Sequence, residues 1–150
     1  MRIVVQGVSK ASVCIGGIEK ASIEKGMLIL LGIETSDEQH DIDWLCEKLA
    51  RLRIFEDENG LMNNTISQHD GNFLVVSQFT LHASTKRGNR PSFIRAARPE
   101  TAIPLYESFL RTLKRVSVRD VLSGEFGADM KVELLNDGPV TILIDSKNRE

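Results

Sequence analysis

A proline set between two strand-like runs is the tightest constraint in this chain. Asn136-Asp137-Gly138-Pro139-Val140-Thr141 separates Met130, Val132, Leu134 and Leu135 from Val140, Ile142, Leu143 and Ile144. Asp-Gly between apolar runs predicts two strands joined by a tight turn. Pro139 has no N–H to give to a ladder, so it belongs at a strand start, an edge or a bulge. Gly138 tolerates backbone angles that other residues avoid, and an X-Pro bond is the only kind that takes the cis form at low cost. Two readings stand at this point. One is a hairpin turn that holds a proline; the other is a Gly-Pro unit whose carbonyl oxygens point into a ligand site.

The rest of the chain alternates strand and helix signals. Ile3 and Val5, then Ser12 to Ile15, read as strand; Gly16-Gly17 is a two-residue hairpin turn; Ala21 to Ile23 follows. After a turn at Lys25-Gly26, Met27 to Ile33 is continuously apolar, which predicts a strand buried on both faces. A β-meander is the simplest arrangement of these strands. Ser36 or Asp37 is the expected cap of a helix whose stripe is Ile42, Leu45, Cys46, Leu49 and Leu52, with Trp44 off its centre, either rimming the core or meeting a partner. Ile54 to Gly71 is turn-rich, with room for one short strand. Asn72 to His82 reads as the strongest strand: Phe73, Val75, Ser77, Phe79 and Leu81 on one face, Leu74, Val76, Gln78, Thr80 and His82 on the other. A second helix is expected from Pro99, a first-turn residue, to about Arg115, with the stripe Ile103, Leu105, Tyr106, Phe109, Leu110 and Leu113. Val116 to Leu122 completes the set as a strand.

Composition removes several classes of function. A chain of 150 residues with 41% hydrophobic and 27% charged residues is expected to form one ordinary globular domain. No segment approaches the roughly 20 apolar residues of a membrane span, and no signal peptide opens the chain, so a cytoplasmic protein is expected. Cys14 and Cys46 make no disulfide framework and read as buried free thiols. A net charge of −2 argues against bulk attraction to nucleic acid. The distribution is uneven, however: Ala83 to Arg98 carries Lys86, Arg87, Arg90, Arg95 and Arg98 and no acid. That stretch is either a solvated basic loop or one anionic contact surface.

Chemistry has few candidates. His40, His69, His82 and the two cysteines lack the paired spacing of a metal site, and Gly124-Glu125-Phe126-Gly127 lacks the glycines and lysine of a phosphate loop, so no metal and no cofactor is expected. On a strand, Thr80 and His82 lie about 6.5–7 Å apart. Their hydroxyl and imidazole meet only through bent side chains, and no acid nearby in sequence orients them.

Ser77-Gln78-Phe79-Thr80-Leu81 and Asn136-Asp137-Gly138-Pro139-Val140-Thr141 resemble the two signature motifs of D-aminoacyl-tRNA deacylases. The resemblance extends through Met1-Arg2-Ile3-Val4-Val5-Gln6, Leu52-Arg53-Ile54-Phe55, Arg90-Pro91-Ser92-Phe93 and Phe126-Gly127-Ala128-Asp129-Met130. It implies a cytoplasmic homodimer acting on the 3′ acceptor end of aminoacyl-tRNA. The reaction implied is hydrolysis of the ester to a D-amino acid, and to glycine mischarged on tRNA-Ala. By the same resemblance, Gly138 and Pro139 form a cis dipeptide in the partner subunit's site, where their carbonyls exclude an L side chain, and Asn136 belongs to the same substrate-binding motif. Ser77, Gln78, Phe79 and Thr80 line the ester, with main-chain N–H groups near Phe79 and Thr80 facing an oxyanion. Phe126 and Met130 hold the terminal adenine, and the basic loop is free to meet phosphates. Elements and resemblance together predict a mixed α/β (α+β) domain over residues 1–150: an antiparallel-rich, barrel-like sheet with two main helices packed outside.

Two positions depart from the family pattern. Members commonly carry an arginine after Gln6, where this chain has Gly7, and a tyrosine is frequent at His82. Two other functions compete. One is a catalytically silent RNA-binding module of the same fold, which Gly7 favours; the other is a Thr/His esterase without stereochemical preference.

Overall fold

The computed structural model describes residues 1–149. Eight strands and two helices follow in the order β1 (Arg2–Ile15), β2 (Ile18–Ile23), β3 (Gly26–Gly32), α1 (Gln39–Arg51), β4 (Phe55–Glu56), β5 (Met62–Asn64), β6 (Asn72–Ser77), α2 (Pro99–Ser117), β7 (Val121–Ser123) and β8 (Met130–Asp145). β1 organises the sheet. Its first half pairs antiparallel with β3, its second half with β2, and β8 runs antiparallel along its whole length. β3 and β2 thus both fold back on β1, and the expected meander, in which β3 pairs with β2, does not form. β6 and β7 extend the sheet in parallel from β3, and β2 curls round to lie near β6 and β7, giving a mixed, barrel-like sheet.

The curl explains the apolar run from Met27. Met27, Ile29 and Leu31 face one core with Ile42, Leu45, Cys46 and Leu49 of α1 and Tyr106, Phe109 and Leu113 of α2. Leu28 and the partly buried Leu30 face a second core with Val8, Val13, Leu74 and Val76 inside the curl. A strand covered on both faces must be apolar at every position. Burying each such side chain contributes about 1.5–3 kcal/mol.

The ends of the elements differ from the sequence pattern in three places. α1 is capped at Glu38, whose N–H donates to Asp41 Oδ2 at 2.9 Å. Asp37 cannot serve there, because its carboxylate takes the Met1 ammonium and, at 2.8 Å, the Glu34 N–H. α2 continues to Ser117 and stops at Val118, a valine in the left-handed region with φ 55°, so β7 starts only at Val121. On α2 the buried stripe uses Ala102, while Ile103 is exposed. The turn-rich segment holds the small hairpin β4–β5. Cys46 is buried and Cys14 half-buried, both as free thiols. No helix among the described residues is long and apolar enough to cross a membrane.

Candidate active site

The largest correction concerns Asn136 to Thr141. The chain does not turn back there. β8 is one continuous strand, and the segment is a bulge in it: Gln6 pairs with Thr141 and Val8 with Asn136, so Gly7 alone opposes Asp137 to Val140. Asp-Gly makes a hairpin only when the two flanking runs find each other. Here both find β1, so the local signal yields a protruding loop. Asn136 closes the loop's base. Its Oδ1 accepts the Val140 N–H at 3.2 Å, and its Nδ2 donates to Thr141 Oγ1 at 3.0 Å. At the tip, Gly138 takes φ 123°, the Gly138–Pro139 peptide is cis, and both residues are exposed.

The second motif also bends away from its expected course. β6 ends at Ser77, Gln78 N–H donates to Leu31 O at 2.8 Å, and Phe79–His82 is a single 3₁₀ turn. The chain has run past the end of β3, its pairing partner, so no ladder remains to keep it extended. Thr80 therefore points to solvent while His82 is buried, 1% exposed. The two never share a face, and the Thr/His couple drops out. Thr80 Oγ1 instead accepts from Gln78 Nε2. The main-chain N–H groups of Phe79 and Thr80 meet no acceptor among the described residues.

Beside this turn lies a cavity of about 320 Å³. Ser77, Gln78 and Phe79 form one wall; Phe126, Gly127, Ala128, Asp129 and Met130 form the other, over a floor of Leu31, Ile33 and Val76. Residues almost fifty positions apart in sequence thus meet across one cavity. Two supporting residues are not evident from the motifs. Tyr106 meets Phe126 edge to face at 5.7 Å and donates its hydroxyl to Val75 O at 3.0 Å, tying the loop to β6. Gly124 leaves room for Met130: a Cβ there would fall 2.4 Å from its sulfur. Tyr106 carries a helical-stripe signal that says core, and its polar tip is the only hint of more.

Gly138 and Pro139 do not reach this cavity in their own chain. They line a second one, of about 230 Å³, with Gly7, Phe55, Met62 and His69. His69 stacks on Phe55 at 4.1 Å, and burial together with Lys25 lowers its pKa below the ordinary value. Of the five cations in the basic loop, Arg95 is engaged: it holds Glu34 at 2.8 and 3.2 Å. Burial alone would raise the Glu34 carboxyl, but that contact holds it below its usual range. Lys86, Arg87, Arg90 and Arg98 make no ion pair among the described residues.

A family model described as D-Tyr-tRNA(Tyr) deacylase matches residues 4–145. The chain belongs to that family. Proteins named D-aminoacyl-tRNA deacylase from Bacteroides fragilis (strain YCH46) and Bacteroides thetaiotaomicron are 64% and 65% identical to it over 150 residues, the whole of both chains. The Akkermansia muciniphila protein of that name is 59% identical over the same full length. Among solved structures, c-Myc DNA Unwinding Element Binding Protein superposes with a TM-score of 0.90 at 39% identity, covering 97% of this chain and 98% of that one. A probable eukaryotic D-amino acid tRNA deacylase shares the fold, with a TM-score of 0.83 at 14% identity and coverage of 95% and 97%. In this deacylase family member, position 7 is a glycine opposite the Gly138–Pro139 bulge, and the bulge is held by Asn136 and Thr141 of its own strand.

Proposed function

We propose that this protein is a cytoplasmic hydrolase of D-aminoacyl-tRNA, acting also on glycine mischarged on tRNA-Ala, and that it works as a two-fold homodimer. Each protomer's Gly138–Pro139 enters the other's cavity between the Phe79 turn and the Phe126–Met130 loop, an isologous arrangement with two equivalent sites. One observation carries the reading. The dipeptide is tied at its base by Asn136, stands exposed, and lies outside the cavity that Ser77, Phe79, Phe126 and Met130 build in its own chain. A second copy is what unites them.

In this reading the terminal adenine rests against Phe126 and Met130, and the ester faces the free N–H groups of Phe79 and Thr80. Water attacks the ester carbonyl carbon, the bond from that carbon to the ribose oxygen breaks, and the proton ends on the ribose hydroxyl. The two N–H groups hold the charge that develops on the carbonyl oxygen. Thr80 has no base to activate it, so the RNA's own 2′-hydroxyl assists. The Gly138 and Pro139 carbonyls reject an L side chain by clash, and nothing grips a D one, so selectivity comes from exclusion.

The test is hydrolysis of D-Tyr-tRNA, L-Tyr-tRNA and Gly-tRNA at equal enzyme concentration. D-Tyr and glycyl esters should be cleaved and the L-Tyr ester left nearly untouched. Comparable D and L rates would sink the chiral screen. No hydrolysis of any ester favours the catalytically silent RNA-binding module, to which Gly7 points. Thr80→Ala should keep most of its activity, whereas a side-chain nucleophile would lose several orders of magnitude. Light scattering that finds an active monomer removes the shared site.

A further inference from the structure

The deacylase reading uses the main chain at Phe79 and leaves its ring unexplained. That ring lines the cavity mouth, yet it is 55% exposed. It packs edge to face with Phe93, centroids 5.1 Å apart at 75°. Phe93 follows a loop clamped shut where Ser84 and Ser92 exchange both main-chain hydrogen bonds, at 2.8 and 2.9 Å. The clamp holds Lys86, Arg87 and Arg90 on a short exposed strap that leads into Phe93, with no acid between Ala83 and Arg98.

Aromatic faces bordered by unpaired cations suit a partner that carries a flat apolar surface and a negative charge together. Single-stranded nucleic acid does so at every nucleotide, a base for the ring and a phosphate for the cation. The patch is also continuous with the cavity assigned to the terminal adenosine through Phe79, which belongs to both.

We propose that Phe79, Phe93 and the Lys86–Arg90 strap form a second nucleotide subsite, which stacks the base preceding the terminal adenosine and neutralises the phosphate between the two. This rests on the deacylase reading for its neighbour, the adenosine site. It makes the enzyme a reader of a dinucleotide end, without base identity, since stacking tolerates any base.

The experiment compares D-tyrosyl esters of adenosine and of the dinucleotide CpA, and reads the ratio of their kcat/KM values. Stacking one base is worth about 1–3 kcal/mol, so the wild-type ratio should be at least about five and near thirty at the centre of that range. Phe93→Leu should lower the ratio several-fold, and Phe93→Trp should retain it. Reading a ratio within one variant separates subsite loss from misfolding, which lowers both esters alike. A wild-type ratio near one overturns the proposal, and is the result expected if a second copy of the chain covers the two rings. A ratio that Phe93→Leu leaves unchanged overturns it too. If neither ester is hydrolysed, the deacylase reading fails. The subsite is then judged by calorimetric binding of unesterified CpA against adenosine, where the same ratio and the same Phe93 variants decide.

Discussion

His82→Phe should make the protein more stable, and increasingly so as the pH falls. His82 ends the 3₁₀ turn that follows β6, is 1% exposed, and neither ring nitrogen makes a hydrogen bond among the described residues. A buried neutral polar group left without a partner costs about 1–3 kcal/mol. Phenylalanine has a similar flat shape and no such atoms, so about 2 kcal/mol is recovered. The ring is slightly larger and sits where a Cβ on Gly32 would be only 3.2 Å from the His82 Cδ2, so about 1 kcal/mol is lost to overpacking. The net gain at pH 8 is about 1 kcal/mol, or roughly 2–4 °C in Tm for a chain of this size. Burial also pushes the His82 pKa below 6.5, while the Gly32 main chain, close to the ring but outside hydrogen-bond geometry, and the Glu34 charge pull the other way. Below pH 6.5 the unfolded chain binds the proton that the folded one refuses. The wild type therefore loses stability as the pH falls from 6.5 to the folded pKa, by up to about 1.4 kcal/mol per pH unit. The variant has no such proton, and the other histidines cancel in the difference. Thermal unfolding of both proteins at pH 8 and pH 5.5 should show a gap that widens at the lower pH. A gap that stays constant, or a variant less stable at pH 8, refutes the account of an unpartnered buried imidazole.

Three further outcomes follow from packing. Gly26→Ala should cost at least about 3 kcal/mol, because its φ is 154° and a Cβ would stand 1.9 Å from Asn72 O; Gly7→Ala, whose Cβ would meet nothing nearer than 3.5 Å, should stay within about 0.5 kcal/mol. Chemical denaturation of both variants checks the pair, and equal losses would contradict it. Tyr106 is the only tyrosine, and burial pushes its phenol up to about 12, so an absorbance titration at the phenolate band should show no ionisation near pH 10 while the protein stays folded. Burial likewise pushes the Cys46 thiol up to about 12, so a thiol reagent at pH 8 should titrate at most the half-buried Cys14 in the native protein and both thiols after denaturation.

What the sequence discloses here depends on whether a feature is decided locally. The Met27 run discloses its own burial because both faces of β3 are covered, and the stripes of α1 and α2 disclose theirs because each helix has one dry side. The end of β6 is decided elsewhere. Nothing in Phe79-Thr80-Leu81-His82 forbids a strand; the turn starts because β3 ends at Gly32 and offers no further partner. Arg95 is counted with the free cations of its loop until Glu34, sixty-one positions away, takes it. The site residues are legible as two motifs, but which cavity each motif lines is a property of the fold.

The bulge in β8 shows the same division most plainly, and it bears on Gly7. In a two-residue hairpin the turn sets the register. In a bulge flanked by paired strand the register is already fixed on both sides, by Val8 with Asn136 and by Gln6 with Thr141, so the four residues between have only to fit the span. Their conformation is then set by whatever closes the base, and Asn136 does this from within the strand, through Val140 N–H and Thr141 Oγ1, with Gln6 Nε2 adding a longer contact of 3.4 Å to the same hydroxyl. A side chain at position 7 is not needed for that closure. A Cβ there would touch Val140 and the Asp137 carbonyl at ordinary distances, so glycine is not demanded by crowding either. The bulge keeps its shape because it is tied at its ends, and position 7 is left free to differ.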